Sequence, residues 1–227
     1  MFGTIVNSIA VIIGGLIGLC LKKGLPKRIS DAVMTGVALC TMYIGISGCL
    51  EGKNPLITVI SISVGAIIGT LLDLDCKLNR LGESVETRFR KKEGDKISIA
   101  EGFVSSSLLF CVGAMAIVGA LQSGLTGNND MLYTKSVLDF ISSIVFASSM
   151  GVGVMFSSIF VLVYQGSIAL LSGFLSPLLS DRVVAEMTCA GSLLLIGLGL
   201  NLLGVTKIKI MDYIPAIFLP ILLCIFM

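Results

Sequence analysis

Lys135 and Asp139 are the residues of this sequence best placed to do chemistry. They stand in the run Tyr133-Thr134-Lys135-Ser136-Val137-Leu138-Asp139-Phe140. Residues i and i+4 share one face of a helix, so the ammonium and the carboxylate can neutralise each other or together meet a polar solute. An ionised Asp near the centre of a membrane helix costs about 2.5–3.5 kcal/mol on insertion scales. A residue with that cost usually faces a partner or a water-filled cavity. Two roles follow from the spacing: a structural pair at the external membrane boundary, and a site for a solute or cation.

Further polar groups lie in apolar surroundings. Asn7, Gln165 and Asn201 carry amides and Tyr164 a hydroxyl, and each needs a hydrogen-bond partner or water if it sits in a membrane. They serve either as interhelical glue or as solute contacts. Ser142, Ser143, Ser148, Ser149, Ser157 and Ser158 surround Gly151-Val152-Gly153. Hydroxyls there can satisfy backbone groups freed at a helix break or line a hydrophilic path. Glu101, Glu186 and Asp212 fall at the ends of apolar runs, where interface positions explain them.

Other chemistries are missing from the sequence. It has no histidine and no GxxxxGK[ST] phosphate loop, so a Ser–His triad, a His-based metal site and nucleotide-driven work are excluded. The seven cysteines include no CxxC and read as small apolar packing residues. No cofactor, metal or nucleic acid is expected, and neither is an enzyme.

The elements that must position these residues follow from hydropathy. Of the 227 residues 55% are apolar and 13% charged, with a mean hydropathy of +1.01. A soluble domain carries about 25% charged residues. The expectation is an all-α polytopic transmembrane bundle of about eight helices, forming one domain over residues 1–227. A crossing takes about 20 apolar residues. Runs near that length are Gly3–Leu21, Ala32–Leu50, Leu56–Leu72, Phe103–Leu121 and Val183–Leu203, with a last one at Ile210–Met227 containing Pro215 and Pro220. The stretch Ser136–Ser176 is long enough for two crossings, with the break at Gly151–Gly153 and a short fifth helix at Ser136–Gly151. The first apolar run has no basic segment before it and reads as a retained helix rather than a signal peptide.

Thirteen of the 16 basic residues lie in three loops: after the first helix, in the polar segment 73–101, and before the last helix. The positive-inside rule puts these loops in the cytoplasm, which leaves Lys53, Lys135 and Arg182 on the other side and both termini external. Within the polar segment, Leu78, Leu81, Val85 and Phe89 recur at helical spacing over Leu74–Lys92, as in an amphipathic helix on the membrane face or a plain connector. Small residues recur four apart at Gly14/Gly18, Gly48/Gly52, Gly65/Gly69 and Ala147/Gly151, the spacing of close helix contacts. This spacing implies tight packing, which is compatible with a homo-oligomer but does not require one.

The chain ends also resemble each other. Pro26, Ser30-Asp31, Met34-Thr35, Ile44-Gly45-Ile46 and Gly52 have counterparts in Pro177, Ser180-Asp181, Met187-Thr188, Ile196-Gly197-Leu198 and Gly204. Candidate repeat halves are 3–72 and 153–227. The offset maps helices one, two and three onto six, seven and eight, which inverts the second copy and brings Asn7 into correspondence with Ser157 and Ser158. Inverted repeats are typical of secondary transporters, with the solute site between the halves.

A longer run carries a family resemblance. It comprises Phe110-Cys111-x-Gly113, Gly119-Ala120, Gly124-Leu125-Thr126-Gly127, Lys135-Ser136-x-Leu138-Asp139-Phe140, Phe146-Ala147-Ser148 and Gly151. Asn7, Gly14-Gly15-x-x-Gly18, Leu25-Pro26, Gly191 and Leu202-x-Gly204 extend it. Over nearly its whole length the chain resembles the YqgA-like family of bacterial inner-membrane proteins, domain of unknown function 554. The resemblance implies a polytopic architecture and directs interest to Lys135, Asp139, Asn7 and Gln165, without naming a solute.

Together these readings give a secondary transporter or channel-like permease for a small polar solute or ion in the bacterial cytoplasmic membrane. Its expected solute- or ion-binding residues are Asp139, Lys135, Asn7, Gln165, Tyr164, Ser157 and Asn201. The alternatives are a non-transporting membrane partner or assembly subunit and, less supported, a membrane-embedded enzyme.

Overall fold

A computed structural model describes residues 1–22, 27–77, 99–112 and 114–226 of the chain. Most of the amphipathic segment proposed at Leu74–Lys92, together with Pro26 and Gly113, lies outside the described residues. The described elements are helical: α1 Phe2–Lys22, α2 Lys27–Cys49, α3 Pro55–Leu71, α4 Ile99–Cys111, α5 Ala114–Leu125, α6 Asp130–Met150, α7 Gly153–Leu170, a single helical turn Ser172–Leu175, α8 Asp181–Leu202, a 3-10 segment Ile210–Ile217 and α9 Leu219–Phe226. Five helices (α1, α2, α6, α7 and α8) are long and apolar enough to cross a membrane, and the pair α4–α5, bent by 62° at its break, makes a sixth if it is one span. The apolar helix α3 is shorter, at 17 residues, and at 1.5 Å per residue reaches about 26 Å. In the last segment Pro215 lies in 3-10 geometry. The larger 3-10 rise of about 2.0 Å per residue partly offsets its small residue count.

The polarity of these helices is reversed relative to a soluble protein. On α1 the buried face holds Thr4, Asn7, Ser8 and Val11, while Ile5, Ile9, Ile12, Ile13, Leu16 and Ile17 are exposed. On α6 Lys135, Ser136, Asp139 and Ser143 are buried, and Val137, Leu138, Ile141 and Val145 are exposed. Apolar faces this extensive are stable against lipid, not water.

Glycines set the close approaches. Along α1, Gly3 lies against Leu132, Gly14 against Phe140 and Ser143, and Gly18 against Ile144 and Ala147, so α1 and α6 run side by side in the same direction. Gly15 lies against Met155 of α7 while Asn7 bonds Gln165, so α1 and α7 are antiparallel. Gly52 meets Cys189 and Gly199 meets Met42, which makes α2 and α8 antiparallel; Gly65 meets Ala216 and Gly69 meets Asp212, which does the same for α3 and the 3-10 segment. Local signals fix the helix starts. Asn54 caps α3, accepting from the Leu56 N–H at 3.1 Å with Pro55 in the first turn, and Ser180 caps α8.

Two expectations about the elements change. The fifth crossing is not short, since α6 begins at Asp130, where the Asn128 side chain accepts the Asp130 N–H at 2.8 Å, and runs 21 residues. Gly151, with φ of 83°, turns the chain between α6 and α7, so 136–151 is the greater part of a full-length helix. The run Phe103–Leu121 is not one straight helix but falls on α4 and α5, either side of their bend.

The α3 contact yields a stability prediction. A Cβ on Gly69 would overlap the Asp212 backbone oxygen, whereas one on Gly36 meets nothing within 4 Å. Gly69→Ala is expected to destabilise the detergent-solubilised protein by about 1–3 kcal/mol. Gly36→Ala should be neutral or stabilising by up to about 1 kcal/mol. Thermal unfolding midpoints measure both, and equal midpoints would contradict the packing described.

Candidate functional site

Three helices bring four polar side chains to one place inside the bundle. α6 supplies Lys135 and Asp139, α1 supplies Asn7 and α7 supplies Gln165. The Lys135 Nζ lies 2.8 Å from both Asp139 carboxylate oxygens, and the two side chains are 8% and 7% exposed. Asn7 Nδ2 donates to Asp139 Oδ2 at 3.0 Å and to Gln165 Oε1 at 3.3 Å. Asn7 and Gln165 are fully buried.

The chemistry of the donors orders this quartet. An ionised carboxylate only accepts, so the Asn7 amide must turn its NH2 toward Asp139. That NH2 then fixes Gln165 with its oxygen inward. Two atoms are left over, Asn7 Oδ1 and Gln165 Nε2, both buried without a hydrogen-bond partner. One is an acceptor and one a donor, beside a pair whose charges cancel. Buried polar atoms without partners are uncommon and call for an explanation such as water, an ion or a function.

The surroundings of the quartet are mixed. Cys111, a buried neutral thiol at the end of α4, lies within electrostatic range of both Lys135 and Asp139. The α4–α5 break follows it directly, and a helix broken inside a bundle leaves backbone groups that need other partners. Tyr164, stacked on Phe160 with ring centroids 6.2 Å apart, lines with Cys111 an apolar cleft of about 380 Å³ between α4, α7 and the 3-10 segment.

Not every expected residue joins the quartet. The Ser157 hydroxyl donates to the Val154 carbonyl of its own helix at 2.6 Å. The expected convergence of Asn7 with the serine pair takes another form: Ser8 donates to the Ser158 carbonyl at 2.8 Å, while Asn7 bonds Gln165. Asn201 holds a loop, its Nδ2 donating to Ile208 O and its Oδ1 accepting from Thr206 Oγ1 and Ile208 N at 2.7–2.9 Å. It lines a separate cavity of about 200 Å³ with Asp75, Glu101 and Ser105. Lys135, counted by the charge rule on the external side, is instead buried in its ion pair and carries no weight in orientation.

Two acids prove more deeply placed than helix-end positions imply. Glu186 is fully buried and Asp212 is 5% exposed. Asp212 Oδ1 accepts the Asp75 N–H at 2.9 Å. Glu186 Oε1 accepts the Lys53 and Asn54 N–H groups at 2.8 Å each. The available signal was that Glu186 stands inside the apolar run beginning at Val183.

Comparison with known proteins bears on the whole chain. The model of a family described as a protein of unknown function, DUF554, matches residues 2–225. The chain belongs to this family. It is 30% identical over 224 residues to a protein of Bacillus subtilis (strain 168) named uncharacterized membrane protein YdfK, covering 97% of this chain and 94% of that protein. It is 30% identical over 221 residues to a protein of Escherichia coli (strain K12) named uncharacterized protein YqgA, covering 96% of this chain and 94% of the other. No solved structure matches. A DUF554 membrane protein is thus the reading that family, relatives and apolar helices support together.

The ion pair makes a quantitative prediction. Removing one partner of a buried pair costs about 3–5 kcal/mol because the other charge is stranded, while replacing both by apolar residues is often neutral. Asp139→Leu and Lys135→Met are each expected to lower the unfolding midpoint strongly, and the double variant to recover most of the loss. A double-mutant cycle in detergent measures the coupling; additive losses would mean that the two charges do not neutralise each other as described.

Proposed function

We propose that this membrane protein is a secondary transporter or channel-like permease for a small polar solute or ion, and that Asn7, Lys135, Asp139 and Gln165 form its central site. The observation that carries the reading is the charged, hydrogen-bonded quartet buried between three helices with one acceptor and one donor unused. Polar groups are costly in this environment and in membrane proteins commonly mark a solute or proton path.

The geometry supports a division of labour. In the resting arrangement Lys135 neutralises Asp139, so the empty site carries no net charge. A solute bearing both a donor and an acceptor meets Gln165 Nε2 and Asn7 Oδ1. A charged solute or ion instead competes for one member of the ion pair: a cation for Asp139, an anion for Lys135. Either way the solute's own bonds replace those it breaks, which is the condition for binding tight enough to enter and weak enough to leave.

The run of the helices supports an inverted repeat. α1 with α7, α2 with α8, and α3 with the 3-10 segment pack antiparallel, and these are the pairs that the 150- to 153-residue offset relates. Such a pairing suits alternating access by one half moving against the other. The site lies at the α1–α7 pair, with α6 and its ion pair alongside. The placement of the basic loops supports a bacterial cytoplasmic membrane location with both termini external.

Two experiments test this. Proteoliposomes are assayed for uptake and efflux of a panel of small polar solutes and inorganic ions. Loss of a hydrogen bond to a charged group is worth about 1.5–3 kcal/mol, so Asn7→Leu and Asp139→Asn should reduce the supported flux by roughly ten- to a hundredfold. Unchanged flux through Asp139→Asn refutes this role for the acid. For orientation, alkaline phosphatase fused after residue 226 should be active in a bacterial host and a cytoplasmic fluorescent fusion dark; the opposite pattern inverts the topology.

A further inference from the structure

The apolar cleft of about 380 Å³ between α4, α7 and the 3-10 segment has no part in the function argued above. Its walls run in a definite direction. Gly153, the first residue of α7, lies against Ile99 and Phe103 of α4. Phe103 packs edge-on against Phe160 with ring centroids 6.2 Å apart, so α4 and α7 are parallel. The Asp212 carboxylate accepts the Asp75 N–H at 2.9 Å, which holds the turn after α3 beside the start of the 3-10 segment. Asp75 also shares a cavity with Glu101 and Ser105, near the start of α4. The cleft therefore begins at Leu74 and Lys77 and passes Phe103 and Ser107 to reach Cys111 and Phe218. From Phe103 to Cys111 alone the wall is about 12 Å long.

Three features of the cleft point to one occupant. Phe160 and Phe218 on its rim are 42% and 45% exposed, so it opens toward the surroundings of the bundle, which for a membrane protein are lipid. Lys77 is the one charged side chain among the described residues that line it. It is exposed, makes no ion pair among the described residues and stands just after α3, where the chain leaves the apolar layer. Ser107 is 6% exposed, and its hydroxyl has no hydrogen-bond partner. The neighbouring Ser106, by contrast, donates to the Gly102 carbonyl of its own helix at 2.7 Å. A buried hydroxyl on the wall of an apolar cleft calls for an acceptor from outside the chain.

We propose that the cleft binds one acyl chain of an anionic phospholipid. The headgroup meets the Lys77 ammonium at the mouth, the ester carbonyl accepts from the Ser107 hydroxyl, and the alkyl chain continues between Leu108, Tyr164 and Phe218. The order along the cleft is cation, hydroxyl, then uninterrupted apolar surface. That is the order of phosphate, ester and hydrocarbon in a glycerophospholipid. An anionic headgroup is favoured because a zwitterionic one brings its own ammonium toward Lys77.

The deep end of the cleft adjoins the central quartet. Tyr164 immediately precedes Gln165, and Cys111 closes α4 at its break from α5. A bound chain packs against both and steadies them. The lipid site does not depend on the permease reading.

The test has one part without variants and one with them. Wild-type protein in nanodiscs is irradiated with phosphatidylglycerol carrying a diazirine in its acyl chain, and labelled peptides are read by mass spectrometry. Labelling should be enriched on Phe103, Leu108, Tyr164 or Phe218 over outward-facing residues such as Ile9 and Ile141. Competitive native mass spectrometry then measures the two polar contacts. Wild-type protein should retain phosphatidylglycerol over phosphatidylethanolamine by about fivefold, the worth of one lysine at a membrane surface, and Lys77→Ala should retain the two alike. It should retain diacyl over ether-linked dialkyl phosphatidylglycerol by about two- to tenfold, the worth of one hydrogen bond, and Ser107→Ala should not distinguish them. Labelling no higher in the cleft than on the outward faces overturns the proposal, as do chain-to-chain crosslinks showing that a second copy fills it. A headgroup preference that survives Lys77→Ala, or an ester preference that survives Ser107→Ala, overturns it equally.

Discussion

The bilayer core offers no water to a carboxylate, so Asp139 has to be neutralised within the protein. Lys135 does this from the same helix, one turn away, with its ammonium on both oxygens. The remaining order of the site follows from that contact. The carboxylate orients Asn7, Asn7 orients Gln165, and α1, α6 and α7 are tied together by bonds that have no alternative partner in lipid. The glycines of α1 serve the same end, since Gly14 and Gly18 allow its backbone to lie directly against α6. A side chain at either position would overlap the α6 backbone at Phe140 or Ile144 and force the two helices apart. Small-residue packing and the polar site therefore make one structural demand.

The same physics accounts for the two ways polar groups are used. Most serines near the Gly151 turn donate to carbonyls of their own helices, as Ser143, Ser148 and Ser158 do at 2.7–2.8 Å. These bonds hide a hydroxyl without linking helices. The amides and acids cannot be hidden this way, because each carries more hydrogen-bonding capacity than the adjacent turn can absorb. They reach across: Asn7 to Asp139 and Gln165, Glu186 to the turn before α3, Asp212 to the chain after it. Long-range polar contacts thus fall at the joints between elements that are distant in sequence, where relative movement would be felt.

How much could be read in advance differs from residue to residue. Lys135 and Asp139 were recognisable because i, i+4 spacing is local geometry, and the buried amides because their types are out of place in apolar runs. The charge rule counts Lys135 as one more basic residue outside the membrane because it has no means of seeing that the ammonium is already paired with a buried carboxylate. The bend after Cys111 was invisible because its residues are as apolar as their neighbours, and hydropathy carries no information about backbone direction. Asn201 and Asn7 have the same side chain in similar surroundings. One ends up clamping a loop and the other at the centre, since helix phase and the neighbouring element decide which partners are in range.

From the sequence alone came the family, the membrane class and the segmentation into apolar helices, because each depends on composition and local periodicity that survive in one dimension. Only the tertiary structure decided which polar atoms meet, which remain without a partner and how deep Glu186 lies. Those outcomes depend on contacts between segments more than 130 residues apart in the chain, where small differences in helix rotation exchange one neighbour for another.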